Sequence, residues 1–255
     1  MASHQYGRFV MAEPARAHDI IDVTPAFAAA DVAMLNARFA GIDTVTMLRE
    51  LLTGELAGRV ATVSSFGTES AILLHLVASI DQATPVVFVN TQKMFGETLA
   101  YRDELVERLG FTDLRVYRPD PHRIAVRDKT SLRWSFDPDG CCEIRKVEPL
   151  QRALAPFDAW ISGRKGFQGK TRTALPRFEL DDGRLKINPL ADWDKPRLDA
   201  YFAEAELPRH PLEAAGYPSI GCVPCTSKVQ PGEDPRAGRW RGWDKTECGI
   251  HEPVF

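Results

Sequence analysis

The sequence predicts an α/β protein with a mainly parallel sheet, and three observations carry that prediction. Short β-branched runs alternate with longer segments that place apolar residues at helix spacing. The first clear strand, "RVATV", leads through the small-residue turn "SSFGTES" into the apolar helix "AILLHLVASI". Only from "HPLEAAGYPSIGC" onward does periodicity disappear under dense glycine and proline.

Taken in order, "PAFAAADVAMLNARFA" and "TVTMLRELL" carry the helical spacing of an N-terminal helical part, residues 1–55. An α/β core follows over 56–210. After the strand–turn–helix just named, "PVVFVN" reads as a second buried strand. "TQKMFGETLAYRDELVERLG" reads as a helix that Gly110 caps. "LRVY" and "AWISG" are further strands, with the helix "EIRKVEPLQRAL" before the second. "LKINPL" is another strand and "DKPRLDAYFAEAEL" another helix. Residues 211–255 form an irregular segment folded against the sheet, so the whole of 1–255 is read as one domain.

A formal net charge of −3 excludes bulk electrostatic binding to nucleic acid or to an anionic membrane, while leaving room for a local basic pocket. The opening "MASHQYGRFVMAEPARAHDI" has no apolar h-region, and no run reaches the length of a membrane span. The expected location is therefore the cytoplasm, where thiols stay reduced and patterned cysteines point to metal or catalysis.

There are five cysteines, and their contexts divide them four and one. Cys141 and Cys142 are adjacent in "CCEIRK", and Cys222 and Cys225 stand at C-x-x-C spacing in "GCVPC". A disulfide between neighbours would be strained, so the adjacent pair reads better as two ligands. Four thiolates hold either zinc or an iron–sulfur cluster, and zinc more often takes two spaced pairs. A thioredoxin-like redox pair, or buried thiols packing as small hydrophobes, are the alternatives. Cys248, in "KTECGIH", stands apart near the end of the chain. Lys245 and His251 flank it and favour a thiolate, whereas Glu247 opposes one.

"SSFGTES" opens a helix, so its backbone N–H groups and helix dipole suit an anion. Ser64, Ser65 and Ser70 add hydroxyls, and Gly67 permits close backbone approach. The turn lacks the Gly-Lys-Ser/Thr ending of a P-loop, and a simple Ser or Thr helix cap explains it equally well. Arg236 and Arg239, three residues apart, and Arg172 match phosphate or sulfate geometry, although solvated surface arginines are the commoner case. His75 in its apolar run reads as a satisfied core histidine. Trp134, Trp160 and Trp193 read as packing residues, as do Trp240 and Trp243 by default. Glu97 and Glu104 read as surface charges.

Together, "SSFGTES", "CCEIRKVEPL", "GCVPCTSKVQPGEDPRAGRW" and "KTECGIH" resemble the thioredoxin-dependent, iron–sulfur type of assimilatory adenylyl-sulfate reductase. That resemblance implies a Rossmann-like parallel sheet flanked by helices, adenine nucleotide alpha-hydrolase-like, with a PP-loop type turn. It implies that Cys141, Cys142, Cys222 and Cys225 hold a 4Fe-4S cluster of structural or electrostatic role. It further implies that Cys248 attacks the sulfur of adenosine 5′-phosphosulfate, and that thioredoxin, a transient partner, then releases sulfite. Ser64, Ser65, Phe66, Gly67, Ser70, Lys146, Arg172, Arg236, Arg239 and His251 are the substrate-binding residues it suggests. Two departures stand out: "NTQKMF" replaces the family's Asp-Thr-Gly, and "SGRKGFQGKTR" replaces its paired-arginine segment. The rival readings are a 3′-phosphoadenylyl-sulfate reductase, a nucleotide-activating ligase and a non-catalytic zinc module. The oligomeric state is left open, a homo-oligomer included.

Overall fold

A computed structural model of the chain describes residues 25–167 and 175–250. Its centre is a six-stranded sheet in the order β3-β2-β1-β4-β6-β5. The strands are β1 (Val60–Val63), β2 (Val86–Val89), β3 (Leu114–Tyr117), β4 (Ala159–Ile161), β5 (Phe178–Asp181) and β6 (Arg184–Ile187). All neighbours pair in parallel except β5 and β6. The parallel sheet expected from the alternating pattern is present. The antiparallel edge strand β5 is an addition, joined to β6 by Asp182 and Gly183 at φ 50 and 73. Two successive left-handed residues make the tight turn that matches strand twist.

Side chains alternate between the faces of these strands. Val60, Val86, Phe88 and Ile161 enter the larger core, which α1 (Ala29–Arg38), α2 (Thr44–Glu50), α3 (Ser70–Ala78), α4 (Gly96–Leu109) and α8 (Lys195–Glu204) help to cover. Ala61, Val87 and Trp160 point the other way. There they pack with Leu150, Ala153 and Leu154 of α7 (Glu148–Leu154). Gly110 ends α4 at φ 71, the left-handed cap expected of it.

The segment leading into α7 differs from the single helix anticipated. It starts earlier, as α6 (Pro138–Cys142), continues through a wide turn over Glu143–Val147, and only then becomes α7. The N–H of Glu148 bonds the carbonyl of Glu143, five residues back. Pro149 has no N–H and would clash with the preceding turn of a regular helix, which accounts for the widening. The cysteine pair therefore lies inside a helix. A short α5 (Pro121–Arg127), capped by the Asp120 side chain, also escaped the sequence reading.

Strand order reverses beside β1: the chain proceeds to β2 and β3 on one side and returns to β4 on the other. A crevice at the carboxyl ends of β1 and β4 follows from that topology. From 211 to 250 the chain is irregular, as expected, apart from one short turn at Val223–Cys225. Among the described residues no helix is long and apolar enough to cross a membrane.

Candidate active site

The crevice holds a cavity of about 490 Å³. Ser64, Ser65, Gly67 and Ser70 line one wall, and Lys146, Arg236, Arg239 and Cys248 also border it. Residues far apart in sequence are thus gathered at one place, over the topological switch of the sheet.

The turn after β1 is built for backbone exposure. Ser64 Oγ accepts the N–H of Phe66 at 3.1 Å, and Phe66 itself sits at φ 52. That unusual φ drives its ring into the core, edge-on to Phe88 with centroids 5.4 Å apart. Phe66 therefore does not border the cavity, and its place is structural. A Ser or Thr cap is not what starts α3: the cap position is Glu69, whose side chain makes no capping bond. Thr68 Oγ1 instead donates to the carbonyl of Pro218 at 2.9 Å, tying the turn to the C-terminal segment.

Four of the five cysteines face a second, much smaller cleft, lined by Cys141, Cys142, Cys222 and Cys225 with Trp134 and Lys146. Helix α6 presents the first pair, held by Asp137, which accepts the Gly140 N–H at 2.8 Å. Pro224 starts the turn Val223–Cys225 that brings Cys225 round to Cys222. Thr226 Oγ1 closes this turn by donating to the Cys222 carbonyl at 2.9 Å. All four thiols are free. Burial pushes the Cys141 thiol up to about 11 and the Cys142 thiol up to about 12, and raises Cys225 as well. Among the described residues no three His, Cys, Asp or Glu side chains converge closely enough for a single metal ion.

Polar contacts hold this cleft against the sheet. Thr91 Oγ1 accepts the Lys93 N–H at 3.2 Å, which leaves its own hydrogen for Cys222 Sγ, also at 3.2 Å. Arg145, buried, donates to Asp128 at 2.7 and 3.0 Å and to the Thr91 carbonyl at 2.9 Å. Asp128 is buried too, so the pair is desolvated and well satisfied, the condition under which such a pair persists.

Lys146 stands between the two cavities and lines both. Burial works against its ammonium, but the sulfurs of Cys222, Cys248 and Cys142 outweigh that cost and keep its pKa above the ordinary lysine value. Trp240, buried at φ 46, collects three cations over its ring: Arg239 at 4.4 Å, Lys245 at 5.6 Å and Lys146 at 6.0 Å. It is more than a packing residue, because its negative face helps hold positive charge at the site. Arg239 reaches the cavity past Gly221, where any Cβ would collide with the guanidinium. It donates to the Ile220 carbonyl at 3.1 Å, and its Nε has no partner among the described residues.

Cys248 is half-buried on the last described stretch of chain. Ile250 packs against the smaller core, Lys245 pairs with Asp139 of α6, and Glu247 pairs with Arg236 at 3.3 Å. Arg172 and His251 lie outside the described residues. Glu69 of the serine-rich turn, Lys165 of "SGRKGFQGKTR", Lys195 and Glu213 also line the cavity, although the sequence did not single them out. Lys165 is buried against Glu69 at 3.0 Å.

The profile of the phosphoadenosine phosphosulfate reductase domain matches residues 59–228, two thirds of the chain, from β1 through both cysteine pairs. The chain belongs to that family. An adenosine 5′-phosphosulfate reductase of Mesorhizobium japonicum is 48% identical over 223 residues, 88% of each chain. A phosphoadenosine 5′-phosphosulfate reductase of Gloeobacter violaceus is 42% identical over 76% of this chain and 82% of its own. The crystal structure of phosphoadenylyl-sulfate reductase from Candida auris superposes with a TM-score of 0.68 at 26% identity, covering 80% of this chain and 98% of that one.

Within this phosphosulfate reductase domain, the departure at "NTQ" has a physical reading. Gln92 takes φ 62, the conformation for which glycine is suited, and its N–H bonds Asn90 Oδ1 at 2.9 Å. The Asn90 side chain thus supports a turn that glycine would make without strain. His75 is a satisfied histidine, with Nδ1 2.8 Å from the Tyr201 hydroxyl. Trp160 and Trp193 are buried packing residues, and Glu97 and Glu104 are exposed.

Proposed function

We propose that this protein reduces adenosine 5′-phosphosulfate to sulfite and AMP, with a reduced dithiol protein of the thioredoxin type as electron donor. The observation that carries this reading is that Cys248 borders the same cavity as Lys146, Arg236, Arg239 and the serine-rich turn. A thiol and three cations beside a nucleotide-type turn suit attack on an anionic sulfur ester, because the approach of a thiolate to an anion needs local positive charge.

The Cys248 thiolate attacks the sulfur of the phosphosulfate. The sulfur–oxygen bond to phosphate breaks, AMP leaves with its electron pair, and Cys248 carries a sulfonate. A donor thiolate then attacks the Cys248 sulfur, sulfite departs with the bonding pair, and a mixed disulfide remains. The donor's second thiolate attacks its own partner sulfur and frees Cys248. Arg236, Arg239 and Lys146 hold the phosphosulfate. Arg172 and His251 are proposed for the same task on grounds of family resemblance.

Cys141, Cys142, Cys222 and Cys225 fit a 4Fe-4S cluster in donor chemistry. Such a cluster takes one thiolate on each iron, so its ligands surround a group instead of converging on one ion. The buried, proton-holding thiols of Cys141 and Cys142 are poor nucleophiles but would become thiolates on binding iron. When bound, the cluster supplies a fixed charged wall beside the cavity, not a store of electrons. The location we infer is the cytoplasm, in assimilatory sulfate reduction leading to cysteine.

Names among the relatives include both the 5′-phosphosulfate and the 3′-phosphorylated nucleotide. The higher identity to the former, together with four cysteines at one cleft, favours adenosine 5′-phosphosulfate. Sulfite release with each nucleotide and reduced thioredoxin tests the reading. A kcat/KM favouring the 5′-phosphosulfate supports it, preference for the 3′-phosphorylated form would replace the substrate, and release from neither would defeat it.

A further inference from the structure

Among the described residues the tail is held over the cavity by Lys245 to Asp139, by Glu247 and the Thr246 carbonyl to Arg236, and by Ile250 to the smaller core. These attachments differ in one respect. Lys245 does not line the nucleotide cavity, and Ile250 borders it with apolar atoms. Glu247 and Arg236 both border it with charge. The Glu247 carboxylate lies 3.3 Å from Arg236 Nη2, and the same nitrogen donates to the Thr246 carbonyl at 2.8 Å. Arg236 is further fixed through its own N–H, accepted by Asp234 Oδ1 at 2.7 Å. Both side chains are mostly buried, 21% and 15% exposed, so solvent screens the pair less than it would a surface ion pair.

We propose that Glu247 is a positioning residue: its carboxylate occupies the Arg236 guanidinium in the nucleotide-free protein and is displaced by the substrate's own anion. This rests on the reading of the cavity as a sulfonucleotide site. Arg236 Nη2 directs its hydrogens at the tail, at the Thr246 carbonyl and at Glu247, so an anion gripping either two-nitrogen edge of the guanidinium must displace one of those acceptors. Nucleotide and tail therefore compete for Arg236. Binding a nucleotide weakens one tail attachment, and a closed tail lowers nucleotide affinity by the same factor. Before substrate arrives, Glu247 keeps Cys248 seated over the cavity. Afterwards the tail has one attachment fewer, and it is freer to leave once sulfonated. The carboxylate beside Cys248, which opposes a thiolate in the sequence, gains a use as an internal stand-in for substrate.

The test separates this claim from the functional reading by two measurements on the full chain. Hydrogen–deuterium exchange of a peptide spanning the tail, without nucleotide, is expected to speed up in both Glu247→Gln and Arg236→Gln. The double variant should go no further. AMP affinity is expected to tighten about three- to tenfold in Glu247→Gln and to be insensitive to that change in an Arg236→Gln background. In turnover, Glu247→Gln should lower KM for the nucleotide more than it alters kcat. Tail exchange that is unchanged in Glu247→Gln, or AMP affinity that weakens or tightens equally in both backgrounds, overturns the proposal. Failure of the wild-type protein to bind AMP at all would defeat the nucleotide reading instead, with the exchange experiment still deciding the tail contact.

Discussion

Two cysteine environments lie a few side chains apart and are built in opposite ways. Cys141, Cys142, Cys222 and Cys225 sit on a helix and a tight turn, around a small cleft braced by Thr91, Arg145 and Asp128. Cys248 sits on an irregular tail, half-buried, held by ion pairs and one apolar contact. Burial raises the pKa of Cys141, Cys142 and Cys225 and suits them to be fixed ligands, whereas the tail thiol stays reachable. On the proposed mechanism the Cys248 thiol meets a small nucleotide and then a whole donor protein, which a thiol enclosed like the other four could not do.

The comparison is broken most directly by exchanging roles. Cys248→Ser should lower sulfite release at least about 1,000-fold while leaving bound iron and acid-labile sulfide unchanged, since loss of a nucleophile removes the covalent route. Cys142→Ser should do the reverse to content: iron and sulfide per chain should fall to near background, and the thermal midpoint should drop with them, because a bound group stabilises only the state that binds it. Arg239→Gln should cost about 100-fold in kcat/KM, with Arg239→Lys recovering part of it, since only arginine offers a paired fork to the anion.

The smallest effect concerns the scaffold that carries both regions. His210 is buried, its Nδ1 accepts the Leu212 N–H at 3.1 Å, and its Nε2 therefore donates to Thr98 Oγ1 at 3.0 Å. Burial lowers its pKa from 6.5 to about 4. The folded state thus resists a proton that the unfolded state accepts, so this contribution is complete above about pH 6.5. It is lost as pH falls from there toward 4, by about 3 kcal/mol in total. Urea melts across that interval should show the slope, and His210→Gln should flatten it.

Much of this was legible in the residues. The alternation of β-branched runs and apolar helices gave the parallel sheet, because burial on both faces writes a strong pattern. The edge strand β5 escaped because "FELD" is half-exposed and carries no such run, although the Asp182-Gly183 pair beside it is a hairpin signal. Ser64, Gly67, Arg236, Arg239 and the cysteines could be marked because short motifs hold them. Lys195 and Glu213 could not, since the fold alone brings isolated charges to one cavity wall, and Glu69 and Lys165 were passed over inside their motifs because nothing local shows that they pair with each other. The place of the Phe66 ring was not legible for a related reason: its motif neighbours face the cavity, but a positive φ turns its ring inward. Trp240 looked like packing because nothing local in sequence announces three cations over one ring.

The division of labour among the cysteines is tested most directly by peptide mass spectrometry of the protein after exposure to adenosine 5′-phosphosulfate with no electron donor. One sulfonate per chain, on the peptide containing Cys248 and discharged as sulfite by reduced thioredoxin, is the expected result. A sulfonate on Cys141, Cys142, Cys222 or Cys225, or sulfite formed with Cys248 unmodified throughout, would contradict it.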